Sequence, residues 1–235
     1  MPIGVIVNVL SVVTGGLIGS VVGNKLSEDL KRTMTLVFGL CAMSMGIASI
    51  VVMKNMPAVV LAIIFGTLIG RVLKINLSIQ KLTGYVLERL MKHQDREADE
   101  LMLTAVVLFC ASGTGICGSL ESGMTGDHSL LIVKAVLDFF TAMIFASQLG
   151  KATALIAIPQ LMIMMFLFLL SKLIVPLTTD IMIADFKACA GFILMGTGFR
   201  MMDLKPFPTA DMIPALILVM PISYVWVTWI LPLIG

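Results

Sequence analysis

Long runs almost free of Asp, Glu, Lys and Arg recur along the whole chain, and they limit its fold more than any other feature. A run of about 18 or more apolar residues matches hydrocarbon about 30 Å thick. There the backbone must satisfy its own hydrogen bonds, which leaves helices for runs of this length. The sequence predicts an all-α, polytopic integral membrane helix bundle. Eight spans are expected, at roughly 3–23, 34–53, 57–73, 102–121, 130–150, 154–175, 187–202 and 212–234. The seventh is short, so it either reaches back to Ile181 or crosses in part, which would leave seven. Only 13% of residues are charged, against about 25% in soluble domains. The expectation is one transmembrane domain over 1–235, with no separate soluble domain.

Basic residues orient the spans. Lys25, Lys31, Arg32, Arg71, Lys74, Lys81, Arg89, Lys92, Arg96, Lys151, Arg200 and Lys205 fall on one side, and Lys54, Lys134, Lys172 and Lys187 on the other. Twelve against four places the 24–33 and 74–100 loops in the cytoplasm and both termini outside. Within 74–100, Ile75, Ile79, Leu82, Val86 and Leu90 recur at steps of three or four. That pattern predicts a cytoplasmic amphipathic helix on the bilayer surface, followed by a polar linker that carries His93. The partner implied is the lipid bilayer. A net charge of +2 spread over loops gives no nucleic-acid surface. The opening residues MPIGVIVNVL lack a basic n-region, so they read as a retained first helix rather than a signal peptide.

Small residues mark close helix contacts. Gly15, Gly19 and Gly23 lie at steps of four, as do Gly66 and Gly70, a spacing that lets helix backbones approach in lipid. The first set also offers a face for a homo-oligomer. GGLIGSVV at 15–22 matches GTLIGRVL at 66–73, and Gly39–Gly46 is matched in spacing by Gly191–Gly198 on an oppositely directed span. Opposed repeats are a transporter feature. The nineteen methionines read as adaptable packing material. Cys41, Cys110, Cys117 and Cys189 lie in apolar runs with no CxxC pair or nearby histidine, so neither a metal nor a cofactor is expected.

Charges inside the spans point to function. An ionisable group at bilayer depth costs about 2.5–3.5 kcal/mol on insertion scales. Residues 102–150 read as a two-helix hairpin carrying Glu121, Lys134 and Asp138, with Asp138 close to mid-bilayer. Lys134 can pair with Asp138 one turn away or reach across to Glu121. The stretch Gly113-Thr114-Gly115-Ile116-Cys117-Gly118 is a poor continuous helix, and broken helices at depth line cavities. Candidate substrate- or ion-binding residues are therefore Asp138, Lys134, Glu121, Ser119, Gly113, Gly115 and Asn8, for a small solute, a proton or a cation. The competing reading is an ion pair that only fixes helix register. Neither HExxH, a P-loop nor GxSxG is present, and Asp127 falls in a turn, so no enzymatic activity is expected.

The run Gly118-Ser119-Leu120-Glu121-Ser122-Gly123-Met124-Thr125-Gly126-Asp127, followed by Lys134 and Leu137-Asp138, resembles the YqgA-like family of bacterial inner-membrane proteins. The likeness spans essentially the whole chain. That family is catalogued as a domain of unknown function. The resemblance implies a multi-span inner-membrane protein of transporter type, without a substrate and without proven site residues. Two classes of function follow: a transporter or channel for a small solute or ion, or a non-transporting assembly or regulatory partner.

Overall fold

The structure, a computed structural model, describes residues 1–25, 27–78, 81, 101–102, 105–106, 108–110 and 112–234. Of the amphipathic helix and linker expected over 75–100, residues 75–78 and 81 are described and helical, and 79–80 and 82–100 lie outside the described residues. The described residues fold into helices: α1 (Ile3–Val22), α2 (Glu28–Ile50), α3 (Met56–Val72), α4 (Gly113–Thr125), α5 (Ser129–Leu149), α6 (Ala157–Ile174), α7 (Asp180–Met201) and α8 (Pro214–Val225). Among the described residues, five stretches are long and apolar enough to cross a membrane. The protein is a helical integral membrane protein. At 17 residues, α3 is short for a span, about 25 Å long.

Two compact units emerge, Met1–Phe38 with Ser78–Leu173, and Gly39–Leu77 with Ile174–Gly235. In the first, α1 and α5 run side by side in the same direction. Gly4 meets Leu131, Gly15 meets Phe139, Gly19 meets Met143 and Gly23 meets Ser147, turn by turn. The glycines expected to offer a face to a second copy are thus filled by α5 of the same chain. Both α4 and α6 run antiparallel to α5. Gly115 faces Lys134 while Gly118 faces Leu131, and Val5, Leu131, Met164 and Phe168 close one core cluster. A second cluster joins Val12, Met102, Phe109, Ala142 and Ile156.

The hairpin between α4 and α5 is built locally. Gly126 ends α4 in the left-handed region at φ 74°, where a side chain would be strained. Asp127 Oδ1 then accepts from the Ser129 amide at 2.9 Å as α5 begins. The glycine run 113–118 predicts a helix break within it. Instead it falls just before, at Ser112, whose hydroxyl accepts from the Gly115 amide at 3.1 Å and caps α4. The glycines are helical, because their lack of side chains serves packing against α5 rather than unwinding.

In the second unit α2 and α7 cross antiparallel, Gly39 against Gly198 and Gly46 against Gly191. Helices α3 and α8 are also antiparallel, through Gly66 on Ala215 and Gly70 on Asp211. The seventh helix starts at Asp180, capped by the Thr179 hydroxyl, so the short span of the sequence reading is a full one of 22 residues. That start places Asp185 inside α7, where it is wholly buried. Pro221 lies inside α8, and a π-helical turn follows at Trp226–Ile230. It carries Trp226 and Trp229 beyond Tyr224, a set suited to the interface.

Candidate functional site

Asp138 lies nine residues into α5, about 13 Å from its start. Its Oδ2 accepts three hydrogen bonds: from Lys134 Nζ at 2.5 Å, from Gln160 Nε2 at 2.9 Å and from Asn8 Nδ2 at 3.0 Å. Asn8 Oδ1 in turn accepts from Gln160 Nε2 at 2.8 Å. Helices α1, α5 and α6 thus converge on one carboxylate oxygen. Asn8 and Gln160 are wholly buried, Lys134 is 2% exposed and Asp138 keeps 8%. In such surroundings the ion pair offsets the desolvation of its members only with added hydrogen bonds, which the two amides provide.

Lys134 therefore pairs with Asp138. Because α4 runs antiparallel to α5, Gly115 lies over Lys134 and each later turn of α4 moves toward the start of α5. Glu121 falls beyond, near the turn where Ser122 Oγ and His128 Nδ1 lie 2.6 Å apart. Glu121 is buried there. Gly115 lets the Lys134 stem pass, and Gly113 opens the helix. The Phe109 ring stands 6.0 Å from the ammonium. Of the residues expected at the site, Asp138, Lys134, Asn8 and Gly115 come together. Ser119 is buried, with a hydroxyl that bonds to no described group. Gln160 was missed as a site residue. Its signal was a polar residue just past Pro159 in an otherwise apolar run. Its Oε1 is buried and receives no hydrogen bond from any described group, an arrangement that costs about 1–3 kcal/mol.

The second unit holds a related node. Asp185 Oδ1 accepts from the amides of Lys54 and Asn55, both at 2.9 Å, and Oδ2 accepts from Asn55 Nδ2 at 2.9 Å and Ser223 Oγ at 2.6 Å. Asn8 and Asp138 are 130 residues apart, and so are Asn55 and Asp185. A shift of 47 residues carries one pair onto the other. The same shift carries Val12, Val13, Gly19 and Gly23 onto Val59, Val60, Gly66 and Gly70, and Phe139 onto Phe186. The nodes differ in charge. Where the first has an ammonium, the second has two backbone amides at the start of α3, made available because Asn55 precedes that helix whereas Asn8 lies inside α1. Four donors fill the Asp185 carboxylate, whereas the Asp138 node leaves an acceptor empty.

Residues 3–224 match a family described as protein of unknown function DUF554. The chain belongs to this family. It is 43% identical over 234 residues to the uncharacterized protein YqgA of Escherichia coli (strain K12), covering 97% of this chain and 99% of that protein. It is 23% identical over 221 residues to the uncharacterized membrane protein YdfK of Bacillus subtilis (strain 168), covering 92% of this chain and 93% of that one. No solved structure matches the chain. The membrane description of the second relative agrees with the apolar helices seen here.

Proposed function

We infer that this protein is a transporter or channel of the bacterial inner membrane, moving a small solute or ion past the Asp138 node. The observation that carries the reading is the convergence of an ammonium and two amides on one mid-helix carboxylate oxygen, beside an acceptor that remains empty. Buried ionisable residues at membrane depth mark pathways for ions, protons or substrates. A purely structural pair has no need for the unfilled Gln160 Oε1. The test is flux of protons, cations and small solutes into vesicles holding the purified protein, compared with Asp138→Asn. Loss of a flux in a variant that folds supports the reading, and no flux of any class from the parent removes it.

The near-complete burial of Asn8, Lys134 and Gln160 favours a second reading, an assembly or regulatory partner whose node fixes helix register. In that case, node variants alter stability alone. The orientation proposed here, with 74–100 in the cytoplasm and both termini outside, rests on the basic-residue bias. A cysteine added after Gly235 should react with an impermeant external reagent, while one at Gln94 should not; the reverse pattern overturns it.

A further inference from the structure

We propose that the ion handled at the Asp138 node is the proton, and that Gln160 is the positioning residue that reads the protonation state of Asp138. The proposal rests on the transport reading above. It begins from the direction of the Gln160 amide. Asn8 Oδ1 accepts from Nε2, which fixes that nitrogen toward the node, and the same nitrogen donates to Asp138 Oδ2. Both hydrogens of Nε2 are therefore used, while Oε1 is buried without a donor. This arrangement suits an ionised carboxylate, which only accepts.

Protonation inverts the requirement. A proton delivered by water, as hydronium, forms an O–H bond at Asp138 Oδ2; no other covalent bond changes and the donor water is left neutral. Lys134 remains an ammonium, so the node passes from neutral to a single positive charge. The new O–H needs an acceptor, and Gln160 Oε1 is the unfilled one in the node. A half-turn of the Gln160 amide exchanges Oε1 for Nε2 and receives it. Asn8 Oδ1 then loses its donor from Gln160, while the ammonium of Lys134 keeps two hydrogens not needed by Asp138. Among the described residues, the ionisable groups around Asp138 are Lys134 on its own helix and Cys110 on the helical segment before α4. Toward the carboxylate, α1 and α6 present the amides of Asn8 and Gln160, and α4 presents Gly115 to the lysine stem.

The test is infrared difference spectroscopy of the protein in vesicles between alkaline and acidic buffer. A protonated-carboxyl C=O band that is lost in Asp138→Asn belongs to Asp138. It should shift in Gln160→Met, where the acceptor is gone. It should shift less in Asn8→Leu, which removes a donor and leaves the acceptor. Gln160→Asn, which withdraws the amide by one methylene, should shift it in the same sense if Gln160→Met does not fold. A band unchanged in the Gln160 variants, or shifted equally by Asn8→Leu, overturns the role of Gln160. The lack of any band sensitive to Asp138→Asn overturns the proton assignment. In that event a solute flux abolished by Asp138→Asn would leave the transport reading standing, whereas no flux at all would remove that too.

Discussion

A Cβ added to Gly115 would stand 3.0 Å from Lys134 Cε, so the glycine of α4 sets the path by which the lysine stem reaches Asp138. The contact is with a flexible side chain. Gly115→Ala should therefore be tolerated, with a loss below about 1.5 kcal/mol, whereas Gly115→Leu overfills the site and should cost about 1–3 kcal/mol. Thermal unfolding in detergent measures the difference. Equal stability of the two variants would mean that the stem has another route.

Backbone contacts should be less forgiving. A Cβ at Gly19 would lie 2.5 Å from Met143 Cα, while one at Gly4 would lie 2.9 Å from Leu131 Cβ. Helix backbones cannot yield as side chains do, so Gly19→Leu should lower expression and melting temperature more than Gly4→Leu. Both glycines are buried, and comparable losses would show that α1 and α5 slide apart easily.

Asp138→Asn leaves Lys134 as a buried cation without its partner, which costs about 3–5 kcal/mol in soluble proteins. Adding Lys134→Met should restore folding, because no charge then remains to strand. The restored double variant should still fail in vesicle flux. Full flux from a folded double variant would reduce the node to a register device.

Asp185 should behave in the opposite manner. Asp185→Asn turns one acceptor oxygen into an N–H group facing donors, at about 1–3 kcal/mol or more. The variant should lose yield, yet whatever folds should transport at the parental rate per molecule. Flux normalised to folded protein decides this, and a selective loss of flux would make the second node part of the pathway.

Much of the fold is legible in the sequence because lipid makes apolar length a direct signal. Charge inside a span is equally plain, which is why Lys134 and Asp138 stand out. Their companions are harder to see. Asn8 and Gln160 are uncharged, and only the packing of α1 and α6 on α5 shows that they meet. Asp185 falls before the apolar run at 187–202, and only the Thr179 cap shows that α7 begins early enough to bury it. The matched glycine spacings at 39–46 and 191–198 also acquire a physical reason. A Cβ at Gly46 would lie 2.7 Å from Gly191 O, and one at Gly191 2.6 Å from Gly46 O. Two antiparallel helices that touch through glycine need equal spacings, and that need accounts for the likeness without an ancestral repeat. The 47-residue shift was hidden for a different reason: the glycine-rich alignment of 15–22 with 66–73 is denser but sets a different offset.

The Asp185 carboxylate has a consequence for how the protein is made. It satisfies the amides of Lys54 and Asn55, yet the ribosome reaches it 130 residues after Asn55. Translation at about 5–20 residues per second makes that interval on the order of ten seconds. During this time the start of α3, a helix of 17 residues that is short for a span, lacks its carboxylate. The same 130-residue interval separates Asn8 from Asp138. Each asparagine therefore enters the membrane well before the acid it serves, so the early helices must wait in the insertion machinery or in lipid for partners still to be synthesised.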